Sequence, residues 1–148
     1  KYPNTKVIHL KRPNHLDRYI STIVLEKTNT AVSVDVEGYK KKLEDMGQLE
    51  LDPVVCEKEF TWRQSEYDTF GKVLADSNAD VLDITYKELT QNNKETMNKV
   101  TDFIGLERLD LETRQTKQNT KTKPDLVSNY AALKEEFSGT EWAWMFDE

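Results

Sequence analysis

Cysteine and glycine are both scarce in this chain of 148 residues. The single cysteine, Cys56, excludes a disulfide bond within the chain and favours a reducing compartment, the cytoplasm. The sequence also contains no Asn-x-Ser/Thr acceptor for glycosylation, which agrees with that location. The five glycines are scattered, and none stands in a Gly/Ser/Thr-rich loop that could cradle a phosphate group; they are Gly38, Gly47, Gly71, Gly105 and Gly139.

Long apolar runs and excess positive charge are absent as well. No apolar run approaches the roughly 18 residues that cross a membrane, so we expect no membrane partner. A net charge of −6 argues against nucleic acid as a partner. The basic residues nevertheless form one local cluster, which suits a small anion better than a polymer; it comprises Arg114, Lys117, Lys121 and Lys123.

Strand and helix patterns alternate along the chain. Residues 7–10 form a short apolar run that indicates a buried strand, and residues 81–86 indicate a second one. Helices are predicted to begin at Asn14, at Asp52-Pro53 and near Lys94, and a last helix is predicted over about Pro124 to Phe137. The third helix is expected to end at Gly105. The apolar stripes expected to face inward include Leu16, Ile20 and Val24 in the first helix, Phe60, Tyr67, Phe70 and Val73 in the second, and Val100 and Ile104 in the third. The segment 28–50 is ambiguous, because Val32, Val34 and Val36 alternate as in an exposed strand; a hairpin, a mobile loop and an excursion over the active site all remain open. This order predicts an α/β domain with a parallel sheet flanked by helices.

The predicted first strand ends beside residues that could bind an anion. Arg12 stands at the carboxyl end of that strand, where open α/β sheets bind ligands. Ser21 lies seven residues beyond the predicted cap Asn14, two turns along the same face, and helical side chains lean toward the N-terminus. A guanidinium, a hydroxyl and a helix N-terminus together make a phosphate site. A solvated arginine and an inert helical serine are the alternative interpretation.

Several stretches carry a family resemblance, in chain order: VIHLKRPNHLDRYIS at 7–21, ITYKEL at 84–89, VTDFIGL at 100–106, and KQN at 117–119 with SNY at 128–130. They resemble sulfotransferases that use 3′-phosphoadenosine 5′-phosphosulfate. Residues 7–21, VIHLKRPNHLDRYIS, are similar to the 3′-phosphate-binding segment of that family, and the Arg12–Ser21 interval resembles its bacterial and carbohydrate-type branch. Residues 84–89 and 100–106 resemble the family's Tyr-Glu-Asp-Leu element and the helix that follows it. Residues 117–119 with 128–130 resemble the loop and helix start that close over the nucleotide.

The resemblance implies roles for particular residues. Arg12 and Ser21 would bind the 3′-phosphate of this co-substrate, Tyr86 would lie near the adenine, and Lys117 would reach a nucleotide phosphate, with Lys121 and Lys123 as alternatives. Plain structural roles compete with each of these: Tyr86 as a core tyrosine, and the lysines as a solvated basic loop. The family's 5′-phosphosulfate loop is not seen, so the catalytic residues are unknown.

The resemblance therefore predicts a single P-loop-like sulfotransferase domain over 1–148 that is incomplete at its N-terminus. Its function would be sulfuryl transfer to a hydroxyl on a small molecule or a saccharide; a non-catalytic nucleotide- or partner-binding module is the alternative. We expect no metal, because neither histidine lies at metal-ligand spacing from a cysteine or the other histidine. His9 is expected to be packed or hydrogen-bonded in the core, and His15 to be exposed. The aromatic tail, residues 142–146, is expected to pack on the sheet, with a saccharide-stacking platform as the alternative.

Overall fold

A computed structural model describes residues 5–31, 35–108 and 121–147. The described residues fall into two compact units: a sheet unit from within 1–13 and 65–114, and a helical unit from within 14–64 and 115–148. In chain order the described elements are β1 (Lys6–Lys11), α1 (His15–Thr28), α2 (Val36–Met46), α3 (Pro53–Ala75), β2 (Asp80–Thr85), α4 (Tyr86–Gln91), α5 (Asn93–Ile104), α6 (Lys123–Leu126), α7 (Tyr130–Glu136) and a 3₁₀ turn (Ala143–Phe146). The predicted α/β class, with a parallel sheet flanked by helices, is confirmed.

The sheet unit is built on β1 and β2, which pair in parallel in the register Lys6↔Asp80 to Lys11↔Thr85. Both predicted strands are present, and β2 ends at Thr85 because that residue caps α4. The Thr85 hydroxyl accepts a hydrogen bond from the backbone N–H of Glu88. The Glu88 carboxylate in turn accepts one from the Thr85 N–H, which completes a capping box.

The prediction that the first strand is buried is wrong, because no residue of β1 is buried and β2 buries only Ile84. Ile84 of β2 is 5% exposed, whereas its register neighbour Leu10 of β1 is 50% exposed. Helix α5 buries Val100 as predicted and ends at Gly105, whose φ of 80° suits glycine at a helix C-terminus. Ile104, predicted to face inward, is 39% exposed, so the inward stripe of α5 is narrower than expected.

Helix α1 begins the helical unit and follows its predicted stripe. Asn14 is the N-cap, and its side-chain oxygen accepts the N–H of Asp17 at 3.0 Å. The apolar stripe predicted from the period of 3.6 faces the core. Leu16, Ile20 and Val24 are each no more than 3% exposed.

The ambiguous segment contains a helix rather than a hairpin or a loop. Asp35 caps α2 by accepting the N–H of Gly38 at 2.9 Å. Tyr39 and Leu43, one turn apart, bury the same face of the helix. The alternating valines indicated an exposed strand, but Val36 is the first residue of α2. Val32 and Val34 lie outside the described residues.

Helix α3 starts as predicted at Pro53, with the Asp52 carboxylate accepting the N–H groups of Val54 and Val55. Phe60 is fully buried. Phe70 and Val73, however, are 60% and 59% exposed, so the predicted inward stripe does not extend to them.

The C-terminal region differs from the prediction in two ways. The expected single helix is divided into α6 and α7, because Val127 is extended and forms a parallel bridge with Leu49. The aromatic tail packs within the helical unit instead of on the sheet: Trp142 and Phe146 belong to the same buried cluster as Phe60 and Phe137. Trp144 alone among the tail aromatics is exposed, at 42%.

Candidate functional site

Arg12 and Tyr86 meet at the carboxyl edge of the parallel sheet. The last register pair of β1 and β2 is Lys11↔Thr85. Arg12 therefore directly follows β1, and Tyr86, the first residue of α4, directly follows β2. The guanidinium carbon of Arg12 lies 4.9 Å from the centre of the Tyr86 ring. A cation over an aromatic face at this distance stabilises by about 0.5–1 kcal/mol at exposed sites. The pair presents a positive fork and an aromatic ring at the edge where open α/β sheets bind ligands.

Tyr67 fixes the backbone beneath this pair. Its hydroxyl oxygen accepts a hydrogen bond from the backbone N–H of Arg12 at 2.6 Å. This N–H lies just beyond the last ladder residue of β1, so the tyrosine satisfies a donor at the point where the chain leaves the sheet. Sequence reasoning placed Tyr67 on the apolar stripe of α3 but did not assign it to the site. The available signal was a hydroxyl-bearing aromatic within that stripe.

A charged cluster lies on the sheet next to the pair. The Asp83 carboxylate interacts with His9 Nδ1 at 3.0 Å and with Lys11 Nζ at 2.6 Å. The hydrogen bond from Lys11 is the main reason that the pKa of Asp83 lies below its ordinary value. His9 is thus hydrogen-bonded as predicted, to the residue opposite it in the register. It is only partly buried, however, and does not belong to the core.

Ser21 belongs to the helical unit, where it is exposed on α1. Arg18, one turn before it, is partly buried. Because Ser21 is exposed, its hydroxyl can donate a hydrogen bond to a ligand at the surface of α1.

His15 departs from the prediction of an exposed residue. It is 1% exposed, with Nε2 at 3.2 Å from Gln64 Oε1 and its ring centre 6.1 Å from that of Trp142. Packing of the tail around Trp142 buries this first helical residue, which the local pattern could not reveal. Burial lowers the pKa of His15, and the charges of Arg18 and Arg63 lower it further, against an opposing hydrogen bond with Gln64. A neutral His15 adds no positive charge for a phosphate.

The lysines of the basic cluster have different positions. Lys117 lies outside the described residues, and Lys121 is exposed. The ammonium of Lys123 donates to the Met145 carbonyl at 2.6 Å and lies 3.3 Å from an Asp17 oxygen. Lys123 thereby ties the C-terminal tail to the start of α1.

The stretch 128–130, which resembles a segment closing over the nucleotide, makes structural contacts in the helical unit. The Asn129 side chain binds both backbone groups of Leu51, and the Ser128 hydroxyl donates to the Leu49 carbonyl. The Tyr130 hydroxyl donates to the Phe146 carbonyl at 2.7 Å. Ser128 and Asn129 thus hold the backbone of residues 49–51, and Tyr130 holds the aromatic tail.

The described part of the chain contains neither a reactive cysteine nor a cluster of metal-ligating side chains. Burial raises the pKa of the Cys56 thiol to about 12, so the thiolate that a nucleophile requires is not formed near neutral pH. Across residues 5–31, 35–108 and 121–147, no group of three or more His, Cys, Asp and Glu side chains could hold a metal ion. No helix in those ranges is long and apolar enough to span a membrane.

Comparison with known families decides the assignment. The model of the sulfotransferase domain matches residues 1–145 of the 148. The chain belongs to the sulfotransferase domain family. Searches of curated proteins and of solved structures found no match. Membership in the sulfotransferase family supports sulfuryl transfer as the reaction class, in which positioning and electrostatic stabilisation supply most of the catalysis.

Proposed function

We propose that this sulfotransferase domain binds 3′-phosphoadenosine 5′-phosphosulfate and serves sulfuryl transfer to a hydroxyl acceptor. The observation that carries the proposal is the Arg12–Tyr86 pair at the carboxyl edge of the sheet, 4.9 Å apart, in a chain of this family. The guanidinium would bind the 3′-phosphate through charge-assisted hydrogen bonds. The Tyr86 ring, next to it, would lie against the adenine.

Ser21 and Lys117 complete the proposed set of donor-binding residues. Ser21 would add a hydroxyl donor to the 3′-phosphate, and its exposed position on α1 leaves that hydroxyl accessible. Lys117 would supply a positive charge to a nucleotide phosphate. Lys121, which is exposed, remains an alternative. Lys123 is the weaker alternative, because its ammonium already holds Met145 and Asp17.

The acceptor is proposed as a hydroxyl compound, with a saccharide as the candidate that the bacterial and carbohydrate-type branch suggests. The single cysteine and the lack of glycosylation acceptors favour the cytoplasm as the location of this activity. No residue of the chain is assigned as the acceptor-activating base. A second reading, a nucleotide-binding module without catalysis, shares the same donor site.

A double-mutant cycle tests the donor site. Adenosine 3′,5′-bisphosphate would be titrated by calorimetry into the parent chain, Arg12→Ala, Tyr86→Leu and the double variant. Arg12→Ala should weaken binding by about 1.5–3 kcal/mol, the range for hydrogen bonds to charged groups, and the two changes should not be additive because the side chains touch. Arg108→Ala is the matched control, since that exposed arginine of the sheet unit pairs with Asp102, away from Arg12 and Tyr86 in the sequence.

An Arg12→Ala variant that binds as tightly as Arg108→Ala would refute the assignment. The two functional readings are separated by a second assay, in which sulfate labelled with ³⁵S is followed from the donor to a panel of hydroxyl acceptors. Transfer supports the enzyme, and nucleotide binding without transfer to any acceptor supports the binding module.

A further inference from the structure

A cavity in the helical unit is lined by a mixture of polar and apolar groups. Its volume is about 250 Å³, slightly below the usual range for ligand pockets. One wall comes from α1, a second from the extended segment 48–52, and the third from the first turn of α3. The lining residues are Tyr19, Ile23, Lys27, Gln48, Leu49, Glu50, Leu51, Asp52 and Val55.

The extended wall of this cavity is held rigidly from behind. Leu49 donates to the Leu126 carbonyl at 2.7 Å, and its own carbonyl accepts the N–H of Ser128 at 2.8 Å. The Asn129 side chain pairs with the N–H and the carbonyl of Leu51 at 3.1 and 2.8 Å. Both leucine side chains are buried, so Glu50 between them points the other way and is exposed.

Glu50 therefore presents unused polar groups at a fixed position. Among the described residues, neither its carboxylate nor its backbone N–H and carbonyl forms a hydrogen bond. The Lys27 ammonium and the Tyr19 hydroxyl likewise form no hydrogen bond in the described part of the chain. Burial raises the pKa of Tyr19, which keeps its hydroxyl protonated as a donor. The cavity thus offers carboxylate acceptors, an ammonium donor and a hydroxyl beside an aromatic ring.

A neutral ligand with several hydroxyl groups would complement this lining. Glu50 and Asp52 outweigh Lys27, so the lining carries a net formal charge of −1 and disfavours a phosphorylated or sulfated compound. Carboxylates accept hydrogen bonds from hydroxyls, and the ammonium donates to them. The Tyr19 ring and the side chains of Ile23 and Val55 supply an apolar wall for carbon-bound hydrogens.

The cavity and Ser21 lie on different faces of α1. Tyr19, Ile23 and Lys27 follow one another at intervals of four on α1. Ser21 is two positions from both Tyr19 and Ile23, which puts it on roughly the opposite side of a helix with about 3.6 residues per turn. The excess of negative charge also makes the cavity unsuitable for the donor.

We propose that this cavity is a binding site for a neutral hexopyranose ring, with Glu50 and Lys27 as its hydrogen-bonding residues and Tyr19 as its aromatic wall. The site does not depend on the proposed nucleotide function. Each can fail without the other.

The test uses the full chain labelled with ¹⁵N and no nucleotide. Methyl glucoside, methyl galactoside and methyl mannoside would be titrated as probes, with glucose 6-phosphate and cyclohexanemethanol as comparisons. We expect saturable shifts confined to residues 19–27 and 48–55 for at least one glycoside, and weaker binding of both comparison compounds. Glu50→Gln should weaken the glycoside roughly tenfold or more, since a charged acceptor is lost. Glu44→Gln, a matched exposed carboxylate on α2, should bind as the parent does.

The proposal is overturned if none of the three glycosides gives saturable shifts in these two segments. Binding that Glu50→Gln leaves unchanged, or tighter binding of glucose 6-phosphate than of methyl glucoside, also overturns it. Because Glu50 is exposed, its substitution should leave the fold intact. The amide spectrum of the variant without ligand checks this directly.

Discussion

Replacement of Asn129 by alanine tests how the extended segment is held. The change removes two hydrogen bonds, one from the Leu51 N–H at 3.1 Å and one to its carbonyl at 2.8 Å. Each such bond contributes a net 0.5–1.5 kcal/mol, so the expected loss of unfolding free energy is about 1–3 kcal/mol. In urea this corresponds to a midpoint shift on the order of 1 M for a small domain. The three tryptophans, Trp62, Trp142 and Trp144, all lie in the helical unit, so their fluorescence reports its unfolding.

Ser128→Ala provides an internal comparison for this prediction. The Ser128 hydroxyl donates to the Leu49 carbonyl, which also accepts the backbone N–H of Ser128 at 2.8 Å. The carbonyl keeps that second donor in the variant, so stability should change by no more than about 0.5 kcal/mol. Equal losses in Asn129→Ala and Ser128→Ala would refute the reasoning that Asn129 satisfies otherwise unpaired backbone groups.

Three further predictions follow from titratable groups. Asp83→Asn should lower the free energy of unfolding by less than about 1 kcal/mol at neutral pH, because the ion pair of Asp83 with Lys11 is half-exposed. The pKa of Asp83 in the folded protein is lowered from 3.8. In urea melts, the stability difference between parent and variant should therefore vanish as the pH falls through that lowered pKa. The pKa of buried His15 is also lowered from 6.5, so unfolded chains take up the proton first and stability should fall as pH drops below 6.5. His15→Gln should flatten that slope, and an unchanged slope would exclude His15 as its source. Cys56 should react with a thiol reagent at pH 8 only after unfolding, because burial raises the pKa of its thiol to about 12. If the folded protein reacted as fast as a small exposed thiol, Cys56 would not be buried.

Local pattern predicted most of the elements. The period of 3.6 located α1, and its buried residues Leu16, Ile20 and Val24 are those of the stripe. Asp52-Pro53 marked the start of α3, and Gly105 marked the end of α5. Each of these signals is a property of neighbours in the sequence, which is why the chain alone carries it.

Tertiary contacts decided the features that local pattern missed. The local sequence predicts that His15 is an exposed residue at the start of a helix. Trp142 of the C-terminal tail packs against it, and His15 is buried. Val127 breaks the last predicted helix because it bridges to Leu49, which is distant in sequence. Phe70 and Val73 continue an apolar stripe, although no described element covers them.

The candidate site was predictable to the same extent. Arg12 and Tyr86 could each be placed at the end of a strand, and parallel pairing in register then brings them together. Tyr67 could not be assigned, since its hydrogen bond to Arg12 spans 55 positions of the chain. The roles of Ser21 and Lys117 remain predictions from the resemblance.

Recognition of the 3′-phosphate is the central claim, and a comparison of two nucleotides tests it most directly. Adenosine 3′,5′-bisphosphate and adenosine 5′-monophosphate would be titrated into the parent chain under identical buffer and salt. A charge-assisted contact from Arg12 predicts that the bisphosphate binds tighter by roughly tenfold or more. Equal affinities for the two nucleotides would contradict the claim.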